Sequence, residues 1–248
     1  MATATPDRKA PSTACIVQEK LQAFNSFAFD VSAVCTGFLT AMSVASQFIH
    51  SGTCKNVLVI GADKFSSITD WNRRDAVFFG DGAGAAILTG GANEAGFLSF
   101  NLYSDGRGKN AFTVPAGGSE QPLNVDNVKN GEHYFQMDGG DVFRTATKVL
   151  PEAINTALKQ ANLSIEDIDL MVPHQPSIRI LEETAKTIGL PFDKVMTNMD
   201  RYANTSGGTI PILLDELNKT GKLSKGMNII FAAVGSGWIW GAAIFRWS

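Results

Sequence analysis

The sequence predicts an α/β fold built from two related halves, and three observations carry that expectation. Segments rich in β-branched and aromatic residues alternate with segments of helical period. The order helix, strand, helix, strand, strand occurs twice. The detail recurs as well, since "NVLVIGADKF…GAGAAILTG" parallels "MNIIFAAVGSGWIWGAAIF". Strands alternating with helices imply a largely parallel sheet with helices on its faces.

The first half reads as helix 11–23, strand 26–31, helix 36–51 and strand 56–62. The second of these helices is expected from Phe38, Met42, Ala45, Phe48 and Ile49 at helical spacing, with Gly52 closing it. A loop "DKFSSITDWNRRD" and a turn "FGDG" lead into a strand at "GAGAAILTG". The stretch 91–131 is rich in Gly, Asn and Ser and reads as a long connection with one strand, "GFLSFNLYSD". Then follow strand 132–137, helix 139–161, strand 168–172, helix 176–189, strand 194–198, helix 206–220 and strands 228–234 and 240–247. The uncharged run "NIIFAAVGSGWIWGAAIF" is long enough to imitate a membrane helix. Glycines interrupt it and its flanks are β-branched or aromatic, so two buried strands joined by a turn are expected.

This organisation gives a first half at 1–95, a connecting segment at 96–131 and a second half at 132–248. The second half opens with a strand, a long helix and a strand that have no counterpart in the first. The first half is therefore expected to be incomplete, with an unpaired sheet edge and an uncovered apolar face. The other reading is that the halves are simply unequal.

With 44% hydrophobic and 18% charged residues over 248 positions, the chain reads as a soluble globular protein with a large core. A net charge of −3 without a basic stripe argues against nucleic acid. Cys15, Cys35 and Cys54 are too few and too scattered for a disulfide scaffold or a zinc site. No hydrophobic signal core opens the sequence, so a cytoplasmic protein without membrane attachment is expected.

Cys35 lies between strand-like "FAFDVSAV" and a helix-like run. A thiol at a helix N-terminus faces unpaired N–H groups and the positive end of the dipole, which predicts a lowered pKa and a nucleophile. The alternative is a small buried hydrophobe. His174, in "IDLMVPHQPSIRI", falls just past the end of an expected parallel strand, where open α/β sheets place ligand sites. A hydrogen-bonded structural histidine is its other reading. His50 ends a helix, and His133 receives no role. Asn204 suits a helix N-cap. It also occupies the place in the second half that Cys35 occupies in the first, so the two helix starts and His174 are expected to converge. "VGSGWIWG" offers backbone N–H groups to an oxyanion, or is a tight turn. "FGDGAG" lacks the residues of a phosphate loop and of a dinucleotide fingerprint.

Six stretches occur in a telling order: "FDVSAVCTGF", "VLVIGAD", "FGDGAGAAIL", "VPHQPSIRI", "ANTSGGTIP" and "GSGWIWGAAIFRW". Together they resemble β-ketoacyl-acyl-carrier-protein synthase III and its thiolase-fold relatives, from about Ala4 to the C-terminus. The resemblance implies the thiolase-like αβαβα layered fold, normally a homodimer. It implies that Cys35 takes an acyl group from acyl-CoA. His174 and Asn204 would hold the thioester carbonyl of malonyl-acyl-carrier protein as CO₂ leaves, and the carbanion would attack the acyl-Cys35 thioester. The N–H groups of Cys35 and Ser236 would form an oxyanion hole. CoA-binding positions carried over are Arg74 (or Arg73), Gly139 and Ser177. Arg144, Arg179 and Lys186 match positions that dock the acidic carrier protein, although ordinary solvated helix charge is their bland reading. No cofactor or metal is implied, since the CoA thioester is a substrate.

There are departures. Pro176 and Ser177 replace the usual Ala-Asn, and Gly140 replaces an asparagine. The family also carries roughly another half-domain before "ATATPD". Rival readings remain at this point. A papain-like hydrolase shares the order Cys, His, Asn but lacks its local cysteine signature. A degradative thiolase would need a second cysteine near the final glycine-rich turn. A catalytically impaired fragment, a partner-dependent subunit of the same fold, or an acyltransferase of secondary metabolism would keep the same three residues. The expected activity is a decarboxylating Claisen condensation that initiates fatty-acid synthesis.

Overall fold

The computed structural model describes residues 1–91 and 95–248. Its larger elements in chain order are α1 (Thr13–Lys20), α2 (Gly37–His50), β1 (Asn56–Lys64), β2 (Asp81–Thr89), β3 (Gly96–Ser104), β4 (Phe112–Thr113), α3 (Val125–Lys129), β5 (Gln136–Met137), α4 (Gly139–Ala161), β6 (Leu170–Pro173), α5 (Ile178–Ile188), α6 (Met199–Tyr202), α7 (Thr209–Lys219), β7 (Asn228–Gly235) and β8 (Ile239–Arg246).

The run that imitates a membrane helix folds as β7, a turn and β8. Ile230, Ala232 and Val234 of β7 join the cluster under α4 and α5. Ile229, Phe231 and Ala233 point the other way, toward α2 and α7. A strand buried on both faces needs no polar alternation, which explains its uncharged sequence. Among the described residues no helix is long and apolar enough to cross a membrane.

The helices are cut to fit this sheet. In α4 the buried positions Ala146, Val149, Leu150, Ala153, Ile154, Ala157 and Leu158 form one continuous stripe. Asp138 caps its start by accepting the Asp141 N–H at 2.9 Å. Asn162, in a left-handed conformation at φ 53°, ends it. On the other face of the sheet, Phe38, Leu39 and Met42 of α2 interlock with Ile210, Leu213 and Leu217 of α7. The layers run α4 and α5, second sheet, α2 and α7, then the β1–β2 pair.

The sheets are more antiparallel than expected. The second sheet has the order β3-β8-β7-β6, and only β6–β7 is parallel. A glycine turn, not a crossover helix, joins β7 to β8, and so short a link forces antiparallel pairing. β1 and β2 are likewise antiparallel, with Asn56 opposite Thr89 and Lys64 opposite Asp81. The expected strands at 26–31 and 194–198 shrink to single bridges, Ala2 with Val31 and Met171 with Val195. The expected strand at 132–137 is only β5, paired with β4. The segment 96–131 is not merely a connection, because β3 is an edge strand of the second sheet. That sheet therefore begins at Gly96, at the expected start of the connecting segment, and residues 92–94 lie outside the described residues.

In β1–β2 the inward positions are small: Gly61, Gly82 and Gly84 meet α7 and the turn before it. A Cβ on Gly61 would lie 2.1 Å from the Gly207 carbonyl oxygen, so the two halves touch through backbone there. The outward positions Leu58 and Ile87 are 43% and 69% exposed. That face is uncovered, as the repeat leads one to expect. Ala2 runs parallel to both Val31 and Gly61, and its N–H donates to the Ile60 carbonyl at 2.7 Å.

Candidate active site

Cys35 lies in a short 3₁₀ turn, Val34–Thr36, and α2 starts only at Gly37. Val34 adopts φ 45°, a conformation that costs a β-branched residue energy and that recurs at functional turns. Gly235, at the end of β7, abuts the thiol residue. A Cβ on it would lie 3.0 Å from the Cys35 amide nitrogen and 3.1 Å from the Cys35 Cβ. A side chain there would have to push the Cys35 backbone aside by a few tenths of an ångström.

The thiol pKa corrects the sequence expectation. Burial is the main cause that pushes it up to about 12, with a smaller raise from the nearby Asp63 carboxylate, against the lowering pull of the Ser206 hydroxyl and the Cys35 amide. The helix-terminal field expected to lower it is outweighed, because Cys35 is only 4% exposed. At rest the group is a thiol, not a thiolate.

His174 follows β6, and its N–H donates to the Ala232 carbonyl of β7 at 2.8 Å. It is 2% exposed. Burial pushes its pKa down to about 3, partly countered by the Ser206 carbonyl, so the ring is neutral. Its Nδ1 lies 2.8 Å from Thr209 Oγ1. Gln175 anchors the chain behind it: its amide donates to the Pro173 and Met196 carbonyls and its oxygen accepts the Asn198 N–H.

Asn204 is fastened to the first half. Its N–H donates to the Phe78 carbonyl at 2.8 Å, and its own carbonyl accepts the Gly80 N–H at 3.0 Å. Its side-chain Oδ1 accepts the Ser206 N–H at 2.8 Å. The expected helix N-cap role is not met, since Gly208 holds that position for α7; the Asn204 side chain instead closes a local turn through its oxygen, and its Nδ2 is the other end of the amide. Ala203, directly before Asn204, has φ 58°, so both key residues follow a left-handed neighbour in equivalent places of the two halves.

Cys35, His174, Asn204 and Ser236 line one cavity of about 790 Å³. Gly139, Arg144, Ser177 and Arg179 stand on its walls as well. Phe79, Phe112 and Trp238 make much of the rest apolar, which suits an acyl chain. Ser177 caps α5 by accepting the Ile180 N–H at 3.4 Å. Arg179 sits over the Phe143 ring at 5.5 Å, and Arg144 reaches Asp141 at 3.4 Å. Two expected residues are not on the wall. Arg74 is exposed on the turn that carries the lining residues Val77 and Phe78. Lys186 is exposed farther along α5, 3.9 Å from Glu183. Arg73, the alternative to Arg74, pairs with Asp75 at 2.7 Å.

Sequence reasoning missed Asp63 and Thr209. Asp63 is buried on β1 with no Lys or Arg in ion-pair contact among the described residues. One oxygen accepts the Ala4 N–H at 2.6 Å together with Thr3 and Thr5 groups, and the other accepts the Gly207 N–H at 2.8 Å. Its signal was a carboxylate at an inward position, in register with Val57, Val59 and Gly61. Thr209 opens α7 and gave no signal apart from its nearness to "NTSGG".

Two family models match the chain. One, 3-oxoacyl-[acyl-carrier-protein] synthase III, matches residues 29–106, and one for the C-terminal part of the same enzyme matches residues 158–247. The chain is 45% identical over 249 residues to the β-ketoacyl-[acyl-carrier-protein] synthase III of Clostridioides difficile, covering 100% of this chain and 76% of that one. It is 45% identical over 251 residues to the enzyme of Chlorobaculum tepidum, with the same coverage. The solved structure of 3-oxoacyl-[acyl-carrier-protein] synthase III from Aquifex aeolicus is similar at 38% identity with a TM-score of 0.90, over 99% of this chain and 75% of that one. The priming β-ketosynthase of the R1128 polyketide pathway is similar at 28% identity with a TM-score of 0.89, over 100% of this chain and 74% of that one. The chain thus spans about three quarters of the length of these relatives.

Proposed function

The chain belongs to the 3-oxoacyl-[acyl-carrier-protein] synthase III family, and from that premise we propose that Cys35 carries the acyl group through the reaction. The fold is the thiolase fold and the activity is that of an acyltransferase-type condensing enzyme priming fatty-acid synthesis from an acyl-CoA. In the first half-reaction the Cys35 sulfur attacks the acyl-CoA thioester and CoA leaves. In the second, malonyl-acyl-carrier protein loses CO₂, its carbanion attacks the acyl-Cys35 carbonyl, and the C–S bond breaks to release 3-oxoacyl-acyl-carrier protein and the Cys35 sulfur, which regains its proton.

The observation that carries this reading is the convergence of Cys35, His174 and Asn204 on one apolar cavity. Asn204 Nδ2, left free by the turn, suits a donor to the malonyl thioester oxygen as negative charge develops there. The N–H groups of Cys35 and Ser236 accompany the acyl carbonyl as an oxyanion hole. A covalent thioester separates acyl transfer from carbon–carbon bond formation. Gly139, Ser177 and the Arg74 turn are the proposed CoA contacts, and Arg144, Arg179 and Lys186 the docking cations for the carrier. The enzyme would work in the cytoplasm as a homodimer. Exposed Val77 and Phe78 on the cavity wall support a second copy on that side.

Intact-protein mass spectrometry after incubation with acetyl-CoA tests the central step. One acetyl gain is expected on the parent protein and none on Cys35→Ala. No gain on a folded sample across short and branched acyl-CoAs, or a gain that survives Cys35→Ala, would overturn the reading.

A further inference from the structure

The turn that carries Asn204 has a backbone its own residues do not favour. Ala203 and Ser206 are both left-handed, at φ 58° and 50°, although neither is glycine. Such a turn persists only where its surroundings over-determine it. Inside the turn, the Ser206 N–H donates to Asn204 Oδ1 at 2.8 Å. The Ser206 carbonyl accepts the Thr209 N–H and, at 2.9 Å, the Thr209 hydroxyl. The next N–H, that of Gly207, leaves the turn and donates to Asp63 on β1 at 2.8 Å.

Asp63 is buried, and its two oxygens are divided between two segments. Oδ1 accepts the Ala4 N–H at 2.6 Å, the Thr5 N–H at 3.2 Å and the Thr3 and Thr5 hydroxyls at 3.2 Å each. Oδ2 accepts the Gly207 N–H. Backbone N–H groups only donate, so both oxygens are needed as acceptors, and an amide in this place could serve only one side. The approach is close. A Cβ on Gly207 would lie 3.2 Å from Asp63 Oδ2 and 3.6 Å from the carbonyl oxygen of Val34, in the turn that carries Cys35.

We infer that Asp63 is a positioning residue that acts through the Ser206–Gly207 peptide to hold the Asn204 side chain and the Thr209 hydroxyl in place. One peptide group joins the two tasks. Its N–H is fixed by Asp63 and its carbonyl by Thr209, whose hydroxyl lies 2.8 Å from His174 Nδ1. Once Gly207 lets go, Ser206 can relax out of its left-handed backbone. Its N–H then leaves the Asn204 oxygen and its carbonyl leaves Thr209. The inference deepens the proposed function and rests on its reading of Asn204 as a site residue. Asp63 itself lies off the cavity wall and acts only through this turn.

The test compares the two sides of the carboxylate on the full chain. In Asp63→Asn the one remaining oxygen faces the several donors of residues 3–5, so the new NH₂ meets the Gly207 N–H and that link is lost. Thr3→Val removes a donor from the opposite side and leaves Gly207 bonded. Both variants should unfold at lower urea. Only Asp63→Asn should lower kcat for condensation of acetyl-CoA with malonyl-acyl-carrier protein, at least about tenfold with the KM for acetyl-CoA within about twofold, as expected of a group displaced but still present. Gly207→Ala keeps the carboxylate, crowds the same bond and should give the same split, which decides the matter if Asp63→Asn does not fold. A spectroscopic arm needs no turnover. In ¹H–¹⁵N spectra the Asn204 side-chain amide, assigned by its loss in Asn204→Ala, should shift in Asp63→Asn or Gly207→Ala and stay in place in Thr3→Val. An unmoved Asn204 amide in the folded Asp63 or Gly207 variant overturns the inference. So does a parent kcat in either, or an equal fall of kcat in Thr3→Val. If the parent protein does not turn over, the proposed function fails while the Asn204 signal still decides the positioning.

Discussion

His174 is held uncharged by burial, with its pKa down at about 3, and this ties stability to pH. The unfolded chain binds a proton near pH 6.5 that the folded ring refuses. The stabilisation from this group is complete above that pH and is lost as pH falls toward the folded pKa. At pH 5 the loss is about 2 kcal/mol. Urea midpoints at pH 7 and pH 5 check this. The parent protein should lose about that much more stability than His174→Asn, and equal losses would contradict the assigned cause. At this scale the sequence was uneven. Cys35, His174 and Asn204 stand in recognisable local motifs. Asp63 and Thr209 do not, because their roles depend on contacts with a distant turn. The thiol pKa was misread for the same reason: a helix start is local and visible, whereas burial by β7 and a facing carboxylate are not.

Among the elements, those that carry their own punctuation were legible. α4 matches its expected span because Asp138 and Asn162 mark its ends and eight buried positions mark its face. The strands at 26–31 and 194–198 could not be read correctly, since a strand exists only through its ladder partners and here each finds little more than one bridge. The contact between β1 and the turn before α7 is the most sensitive place in this layer. Gly61→Ala would force its methyl group to within 2.1 Å of the Gly207 oxygen, so strands and turn must separate. The expected cost is about 1–3 kcal/mol by denaturant unfolding, with a larger relative loss of acetylation, because the turn also orients Asn204 and His174. Unchanged stability and rate would mean that the seam can give.

For the whole molecule, the repeat was the informative signal. It led to two α/β halves and to an apolar face on the first sheet without a helical cover. Leu58 and Ile87 on that face make it adhesive. The double substitution Leu58→Lys/Ile87→Lys should reduce binding of an apolar fluorescent dye and slow aggregation on warming. It should shift the denaturation midpoint by no more than about 0.5 kcal/mol, as surface changes usually do. Equal dye binding would place the adhesive surface elsewhere. What the repeat did not convey was strand direction. The turn between β7 and β8 and the loop between β1 and β2 replace crossover helices, and this makes the sheets mostly antiparallel.

The burial of Cys35 has a consequence for the life of the chain before it is an enzyme. The residues that enclose the thiol, around Asn204, Ser206 and Gly235, are among the last to be made. During synthesis Cys35 is an ordinary thiol with a pKa near about 8.5, open to oxidants. Closure of the second half removes it from solvent and holds its proton in place, which also removes the thiolate on which oxidation depends. The Cys35 thiol is thus most vulnerable on the ribosome and most protected once the chain has closed over it.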